Sequence, residues 1–194
     1  FEALRVAVDA LTEVTIVPDT ISELRFADQV EAVGRTGSRY AAQTVVLAAG
    51  AWSATITGLP KTIPVEPVRG QMIAYAGSPL RRAVYGPRGY LVPRASERTL
   101  VGATTERAGF ESITTPEGIA KLAGAAGEIL PQFATSQPTD AWAGLRPISA
   151  DLQPILGLDP DEPRLLYATG HSRNGILMTP LTGDCIGALL TGDP

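Results

Sequence analysis

The chain has 194 residues, which is enough for one ordinary domain or for parts of two. Hydrophobic residues make up 44% and charged residues 19%, a composition that supports a folded core and excludes a disordered chain. The net charge of −4, without a block of Lys or Arg, disfavours nucleic acids and anionic membranes as partners. No apolar run approaches the roughly 20 residues that a membrane-spanning helix needs.

Cys185 is the single cysteine, so neither an internal disulfide nor a cysteine-based zinc site can form within the chain. Because no signal peptide is visible, the sequence predicts a reducing, cytoplasmic location. The chain begins at Phe1 rather than Met, so the sequence leaves open whether a targeting or other segment precedes it. The apolar neighbours of Cys185 predict that it is a small core residue.

The first 57 residues predict a helix, a strand, a β-meander and a further strand. Apolar residues at helical spacing predict an amphipathic helix over residues 1–11. The last strand ends in a continuous apolar run, which is typical of a strand buried in a parallel sheet, and a turn follows it at 50–53. The expected strands in this part of the chain are 14–17, 20–26, 29–35 and 40–49.

A Pro- and Gly-rich connection around residues 57–69 marks a candidate boundary. Beyond it, Thr115 as an N-cap and Pro116 in the first helical position predict a helix that ends near Leu130. Short apolar segments separated by polar turns predict antiparallel strands at 70–75, 82–85, 90–94 and 99–103.

The last part of the chain predicts strands over 140–145 and 165–169, and a helix from about 174 to 190 that contains Pro180. The whole pattern predicts an α+β fold that is built from two units. In this fold an antiparallel sheet, residues 64–140, is inserted between two parts of one α/β unit, residues 1–57 and 141–194.

Several sequence motifs are absent. No strand is followed by Gly-x-Gly-x-x-Gly, and the glycine pairs Gly34/Gly37 and Gly124/Gly127 fall in a hairpin and a helix. There is no Walker loop, no His-Glu-x-x-His and no Gly-x-Ser-x-Gly. In a serine hydrolase, His171 would have to be the general base, because it is the single histidine, and no motif supports a serine nucleophile.

Two arginines are the strongest candidates for ligand binding. Arg146 precedes Pro147, which favours an extended backbone, and its guanidinium could bind a carboxylate bidentately. An ion pair with Asp151 is the structural alternative. Arg173 precedes the last helix, where the helix dipole disfavours a cation, so we expect an anion or an electron-rich ring beside it. Solvent exposure alone is the alternative for Arg173.

Three further features have both a functional and a structural interpretation. The Tyr90 hydroxyl could hydrogen-bond a carboxylate, although a half-buried strand tyrosine is the more common case. His171 could accept a proton, but a structural role in a turn is the preferred interpretation. Glycines in the last helix predict close approach of a cofactor or another backbone at Gly175, Gly183 and Gly187.

Five segments of this chain, in this order and at this spacing, resemble the glycine oxidases of thiamine biosynthesis, a family of D-amino-acid-oxidase-like flavoproteins. The likeness covers essentially the whole chain, and its last two segments are the most specific. The segments are 49–53, 90–94, 101–104, 142–147 and 170–177, which read AGAWS, YLVPR, VGAT, WAGLRP and GHSRNGIL.

The resemblance implies FAD that is bound without a covalent bond. It also implies oxidation of glycine, or of other small or N-methylated amino acids, to an imine and then glyoxylate, with oxygen as acceptor and hydrogen peroxide as by-product. Arg146 and Tyr90 would then bind the substrate carboxylate, Arg173 would lie between flavin and substrate, and Thr105 would face the substrate. The resemblance implies FAD contacts at Ile21, Gly50, His171, Ser172, Arg173, Asn174, Gly175, Ile176 and Leu177.

The sequence departs from this family in two respects. The N-terminal βαβ unit with its FAD-phosphate glycines is absent, and Arg88 stands where relatives can carry a histidine. We therefore expect the C-terminal part of an FAD oxidase, with an N-terminal FAD-binding segment as its partner and a homo-oligomer when complete. The alternatives are a dehydrogenase relative that passes electrons to a quinone, and a non-catalytic module that binds a small acid or another protein.

Overall fold

In the computed structural model, which describes residues 2–192, the chain begins with a short helix and a β-meander. Helix α1 covers Glu2–Asp9, as predicted, and Phe1 lies outside the described residues. The meander is a three-stranded antiparallel sheet in the order β1-β2-β3. Its strands are β1 (Ile21–Phe26), β2 (Val30–Gly34) and β3 (Arg39–Ala42).

A second small sheet joins the two ends of the chain. Strand β4 (Val45–Leu47) pairs in parallel with a strand near the C-terminus, β11 (Leu165–Thr169), as the continuous apolar runs of both segments predict. Leu47, Leu165 and Tyr167 are buried in one hydrophobic cluster, which packs beneath the meander. Residues between 21 and 65 and between 155 and 167 therefore share a core.

A five-stranded antiparallel sheet occupies the middle of the chain, in the order β6-β7-β8-β5-β9. Strand β9 pairs with β5 along its whole length, from Val65 opposite Ser149 to Ala74 opposite Asp140. The sheet therefore continues past residue 140, where we had expected it to end. The division of the chain into three units otherwise stays a prediction. The strands are β5 (Val65–Ala76), β6 (Val84–Gly86), β7 (Gly89–Arg94), β8 (Arg98–Gly102) and β9 (Asp140–Ser149).

Helix α2 (Pro116–Ile129) covers one face of this sheet. The Thr115 side chain accepts a hydrogen bond from the Gly118 N–H at 3.1 Å, so the predicted N-cap is confirmed. Large side chains buried between helix and sheet each contribute roughly 1.5–3 kcal/mol. These include Ile73, Tyr75, Leu91, Val101 and Leu122. Because side chains alternate along a strand, the neighbours of these residues point to the opposite face.

Other elements differ from the sequence-based expectation. Residues 14–17 are not a strand, because their side chains are exposed and pair with no strand among the described residues. The segment 40–49 is not one strand: it divides between β3 and β4, which lie in different sheets. Residues 50–55 form a short 3-10 helix rather than a simple turn. Strand β10 (Ile155–Leu158), antiparallel to β11, was not predicted.

The last helix, α3 (Gly175–Thr191), contains Pro180 as predicted. Cys185 is exposed on it, so its prediction as a core residue is wrong. Within residues 2–192 no helix has the length and apolar character to cross a membrane, and no cluster of three or more His, Cys, Asp or Glu side chains could hold a metal ion.

Candidate active site

Backbone contacts bring the two predicted arginines to one cavity. The Ser172 N–H donates to the Pro147 carbonyl oxygen at 2.9 Å, and Ile148 forms an isolated β-bridge with His171. These contacts join the end of β9 to the turn before α3. Arg146 and Arg173 therefore line the same cavity, of about 680 Å³. Its other lining residues are Tyr85, Tyr90, Leu145, Pro147, Ser172, Asn174, Gly175 and Ile176.

The Arg146 side chain is half-buried on the face of the sheet opposite α2. Its Nη1 donates to the Thr104 carbonyl oxygen at 3.0 Å. The guanidinium lies so close to Gly70 of β5 that a Cβ atom at this position would overlap it. Glycine at this position therefore leaves the space in which the planar guanidinium rests against the strand.

The cavity carries positive charge without a matching acid. Burial and the positive charge of Arg173 lower the pKa of Arg146 from its ordinary value. Among residues 2–192 neither arginine forms an ion pair with an acidic side chain, so the alternative pairing of Arg146 with Asp151 is not observed. An anion in this cavity would relieve the repulsion between the two guanidinium groups, and a carboxylate matches their geometry.

Tyr90 forms one wall of this cavity. It is the cross-strand partner of Gly102, and its hydroxyl lies where a Cβ atom of residue 102 would be. The Tyr85 ring lies against it, with 5.6 Å between the ring centroids. Glycines at 70 and 102 thus allow a guanidinium and a phenol to lie close to the sheet beside each other.

The N-terminus of α3 borders the same cavity. Asn174 precedes the helix and makes no side-chain capping bond, and the backbone N–H groups of the first turn have no partner within a helix. Ile176 and Leu177 of this turn are 74% and 82% exposed. Free donors beside exposed apolar side chains fit the polar edge and the flat face of an isoalloxazine ring, so these residues are suited to the FAD that the sequence implies.

His171 is part-buried between β9 and α3. Its Nε2 lies 3.0 Å from the Thr182 Oγ1, about two turns into the helix, and burial lowers its pKa. These contacts attach the start of α3 to the sheet and support the structural interpretation of His171. Its predicted contact with FAD stays a prediction.

The other predicted residues lie elsewhere. Ile21 lines a separate cavity of about 540 Å³ between the meander, β4 and the 3-10 helix, which shares no lining residue with the arginine cavity. The Gly50 carbonyl oxygen, next to this cavity, accepts a hydrogen bond from the Thr169 hydroxyl at 3.2 Å. Thr105 is exposed and does not line the arginine cavity. The structure therefore brings together Arg146, Arg173, Tyr90 and residues 172–176, but not Ile21 or Thr105.

Sequence reasoning missed a second, adjoining cavity of about 590 Å³. It shares Tyr85, Tyr90 and Arg173 with the arginine cavity and adds two cations, Arg88 and Lys121. Arg88 forms an ion pair with Glu128 of α2. The family resemblance had drawn attention to Arg88 as a position where relatives can carry a histidine. Lys121 could not be predicted, because nothing in the sequence distinguishes it from other charged residues on a helix.

The N-terminus of α3 and two arginines that pair with no acid among residues 2–192 line one cavity beside an antiparallel sheet, and this arrangement suits a protein that binds FAD and a small acid. The family model described as "FAD dependent oxidoreductase" matches residues 3–189. The chain belongs to this family, which confirms the resemblance and the α+β fold. No residue role follows from this match alone.

Two curated relatives are similar over most of the chain. The glycine oxidase of Pseudomonas aeruginosa is 38% identical over 172 residues, which cover 87% of this chain and 47% of that protein. The bifunctional protein ThiO/ThiG of a Synechocystis species is 41% identical over 169 residues, covering 84% of this chain and 25% of that protein. The chain thus spans between a quarter and about half the length of these relatives.

Two crystal structures show the same fold. Glycine oxidase from Geobacillus kaustophilus superposes with a TM-score of 0.81 at 30% identity, covering 90% of this chain and 48% of that one. Iminodiacetate oxidase from a Chelativorans species superposes with a TM-score of 0.86 at 29% identity, covering 98% of this chain and 53% of that one.

Proposed function

We propose that the chain supplies the substrate-binding part of an FAD-dependent oxidase that converts glycine to an imine and then to glyoxylate, with release of ammonia and hydrogen peroxide. The names of the relatives support this substrate and a role in thiamine biosynthesis. The observation that carries the proposal is the pair Arg146 and Arg173, which line one cavity without an acidic partner among the described residues. A small amino acid presents the carboxylate that such a pair would bind.

Four side chains have distinct roles in this proposal. Arg146 binds the substrate carboxylate, and the Tyr90 hydroxyl donates a second hydrogen bond to it. Arg173 lies between substrate and cofactor, where it adds positive charge. Thr105 is kept as a predicted substrate contact, although it is exposed. FAD, when bound, supplies the hydride acceptor, so a neutral amine substrate needs no strong base from the protein.

The start of α3 is the proposed contact of this chain with the flavin ring. The free N–H groups of the first turn would stabilise negative charge on the reduced ring. The proposed FAD contacts are Ile21, Gly50, His171, Ser172, Arg173, Asn174, Gly175, Ile176 and Leu177. Ile21 lies in a separate cavity, so its contact would be with a more distant part of this extended cofactor.

Absorption spectroscopy and intact mass of the protein at its native length test this proposal first. We expect a flavin band and peroxide release when glycine is added under air. A flavin band with dye reduction but no peroxide would favour the dehydrogenase alternative. Binding of acetate without flavin or turnover in the native-length protein would favour the non-catalytic acid-binding module.

A second candidate substrate is a secondary amine with two carboxylates. The adjoining cavity, with Lys121 and Arg88, could receive a second carboxylate while the first is held by Arg146. Among the described residues Lys121 forms no ion pair, so its charge is available. The iminodiacetate oxidase neighbour carries such a substrate in its name.

The values of kcat/KM for two amine substrates, one with two carboxylates and one with a single carboxylate, test the second candidate. If the second candidate is correct, kcat/KM for iminodiacetate exceeds that for sarcosine, and Lys121→Met removes this preference without changing the value for sarcosine. Lys61→Met is the matched control, because Lys61 pairs with Asp161 away from both cavities. An equal loss for both substrates would show that Lys121 does not recognise a second carboxylate, and would contradict the second candidate.

We also propose that the complete enzyme is a cytoplasmic homo-oligomer that includes an N-terminal FAD-binding segment. The single cysteine is compatible with a reducing compartment. Light scattering coupled to size exclusion, together with the intact mass, would test the assembly.

A further inference from the structure

The segment that follows β8 determines where Arg146 can lie. The Thr104 carbonyl oxygen accepts the hydrogen bond from Arg146 Nη1, so a shift of residue 104 would shift or release the guanidinium. Backbone pairs hold this segment against β5: Thr104 N–H donates to the Gln71 carbonyl oxygen at 3.2 Å, and Glu106 N–H donates to the Arg69 carbonyl oxygen at 2.9 Å. Arg69 N–H returns a bond to the Glu106 carbonyl oxygen at 2.8 Å.

A polar cluster on the α2 side of the sheet reinforces these backbone pairs. The Glu106 carboxylate accepts from Arg69 Nε at 2.9 Å and from Arg69 Nη2 at 2.6 Å. It also accepts from Gln71 Nε2 at 2.8 Å. Arg69 is only 7% exposed and Gln71 is fully buried, so these bonds have little competition from water.

The same cluster is fixed to the start of α2. The Gln71 Oε1 accepts from the Thr115 N–H at 2.8 Å, and Gln71 Nε2 lies 3.2 Å from the Thr115 hydroxyl. A Cβ atom on Gly118 would overlap the Gln71 amide. The start of the helix, the strand β5 and the Glu106 carboxylate therefore meet at the Gln71 side-chain amide.

The charge of Glu106 is maintained in this setting. Burial acts to raise the pKa of Glu106, but hydrogen bonds from Thr104, Arg69 and Gln71 outweigh it, so the pKa lies below its ordinary value. The group is thus a carboxylate at neutral pH, and it accepts at least three hydrogen bonds.

We propose that Glu106 is a positioning residue for Arg146: by binding Arg69 and Gln71 it fixes residues 104–106 on β5, and the Thr104 carbonyl oxygen in turn fixes the guanidinium. The functional consequence rests on the proposed role of Arg146 in binding the substrate carboxylate. Glu106 itself does not line the arginine cavity, so it acts only through the segment that it holds.

The chain offers a matched control for this cluster. Glu66 of β5 and Arg107 form an ion pair that joins the same strand to the same segment, but their side chains are 46% and 74% exposed. Exposed ion pairs contribute little, so Glu66→Gln removes a comparable contact without loosening residue 104. Glu106→Gln keeps the shape of the side chain and removes its charge.

The experiment uses the protein at its native length and two kinds of measurement. The first is the NMR signal of the Arg146 side-chain Nε–H group, assigned by its loss in Arg146→Lys. The second is the pair of constants that depend on carboxylate binding, the Kd of acetate and the KM of glycine. Thermal unfolding of each variant verifies that it is folded.

We expect Glu106→Gln to shift the Arg146 signal and to raise both constants about 10-fold, with kcat changed much less. Glu66→Gln should change neither the signal nor the constants. An unchanged Arg146 signal in a folded Glu106→Gln protein would overturn the proposal. A shifted signal without any change in acetate binding would retain the positioning role and contradict the proposed function of Arg146 instead.

Arg69→Lys provides the second variant if Glu106→Gln does not fold. It keeps the positive charge but loses the two-point contact of Nε and Nη2 with one carboxylate oxygen. The same shift of the Arg146 signal, with a smaller rise in the Kd of acetate, supports the proposal. An Arg146 signal identical to that of the parent protein contradicts it.

Discussion

Arg146 and Arg173 face one cavity from two different elements, and the charge of Arg173 contributes to the lowered pKa of Arg146. Their proximity depends on the bond between the Ser172 N–H and the Pro147 carbonyl oxygen, which joins residues on either side of the cavity. Two like charges that are held together in this way favour an anionic ligand, because the ligand relieves their repulsion.

Replacing Arg146 should therefore weaken substrate binding more than it slows the reaction. Charged hydrogen bonds are worth about 1.5–3 kcal/mol, which corresponds to a rise in the KM of glycine of roughly 10- to 100-fold for Arg146→Ala. Steady-state kinetics of the native-length protein would measure this. Arg94→Ala is the control, since Arg94 is exposed at the end of β7. An unchanged KM would refute the role of Arg146.

Tyr90→Phe should have a smaller effect in the same direction. The substitution removes one hydroxyl and keeps the ring that packs against Tyr85, so we expect the KM of glycine to rise about 10-fold or less. Tyr85→Phe serves as the control, because it removes a hydroxyl from the neighbouring ring, whose residue is 77% exposed. An unchanged KM in Tyr90→Phe would show that the Tyr90 hydroxyl does not bind the substrate, because the variant keeps the ring and its packing.

The sequence predicted those parts of the fold that depend on local pattern. The apolar runs of β4 and β11 and the Thr115 N-cap are signals carried by neighbouring residues, and the structure confirms them. The strand expected at 14–17 failed because an apolar segment needs a partner to become a strand, and its side chains stay exposed in the described chain. Strand β10 was missed because Gly157 interrupts a segment of only four residues.

The sequence predicted individual side chains of the candidate site, such as Tyr90, Arg146 before Pro147, and Arg173 before the last helix. The supporting contacts of the site could not be predicted, because they depend on strand register. Arg146 lies 42 residues from Thr104, and only the pairing of β5 with β9 places its guanidinium over Gly70. The sequence pattern alone does not determine which residues of β5 and β9 lie opposite each other.

Titration of His171 followed by NMR tests whether its side chain is buried. Because it is the single histidine, its signal can be assigned without ambiguity. Burial lowers its pKa, so we expect a midpoint below the ordinary value of about 6.5. Since the unfolded chain then takes up the proton first, the free energy of unfolding should fall as the pH drops below about 6.5. In His171→Gln this part of the pH dependence should disappear. A midpoint at or above 6.5 would contradict the buried placement.

The buried contact between Ser53 and Thr169 should stabilise the junction of the 3-10 helix with β11. Their hydroxyl oxygens are 2.7 Å apart, and both residues are almost completely buried. Thr169→Val leaves the Ser53 hydroxyl without this partner, which should lower the free energy of unfolding by about 1–3 kcal/mol. The double variant with Ser53→Ala should lose less than the sum of the single variants, because it leaves no unpaired hydroxyl of this pair. Denaturant titration of all four proteins would measure the coupling, and strictly additive losses would show that the two hydroxyls do not stabilise each other.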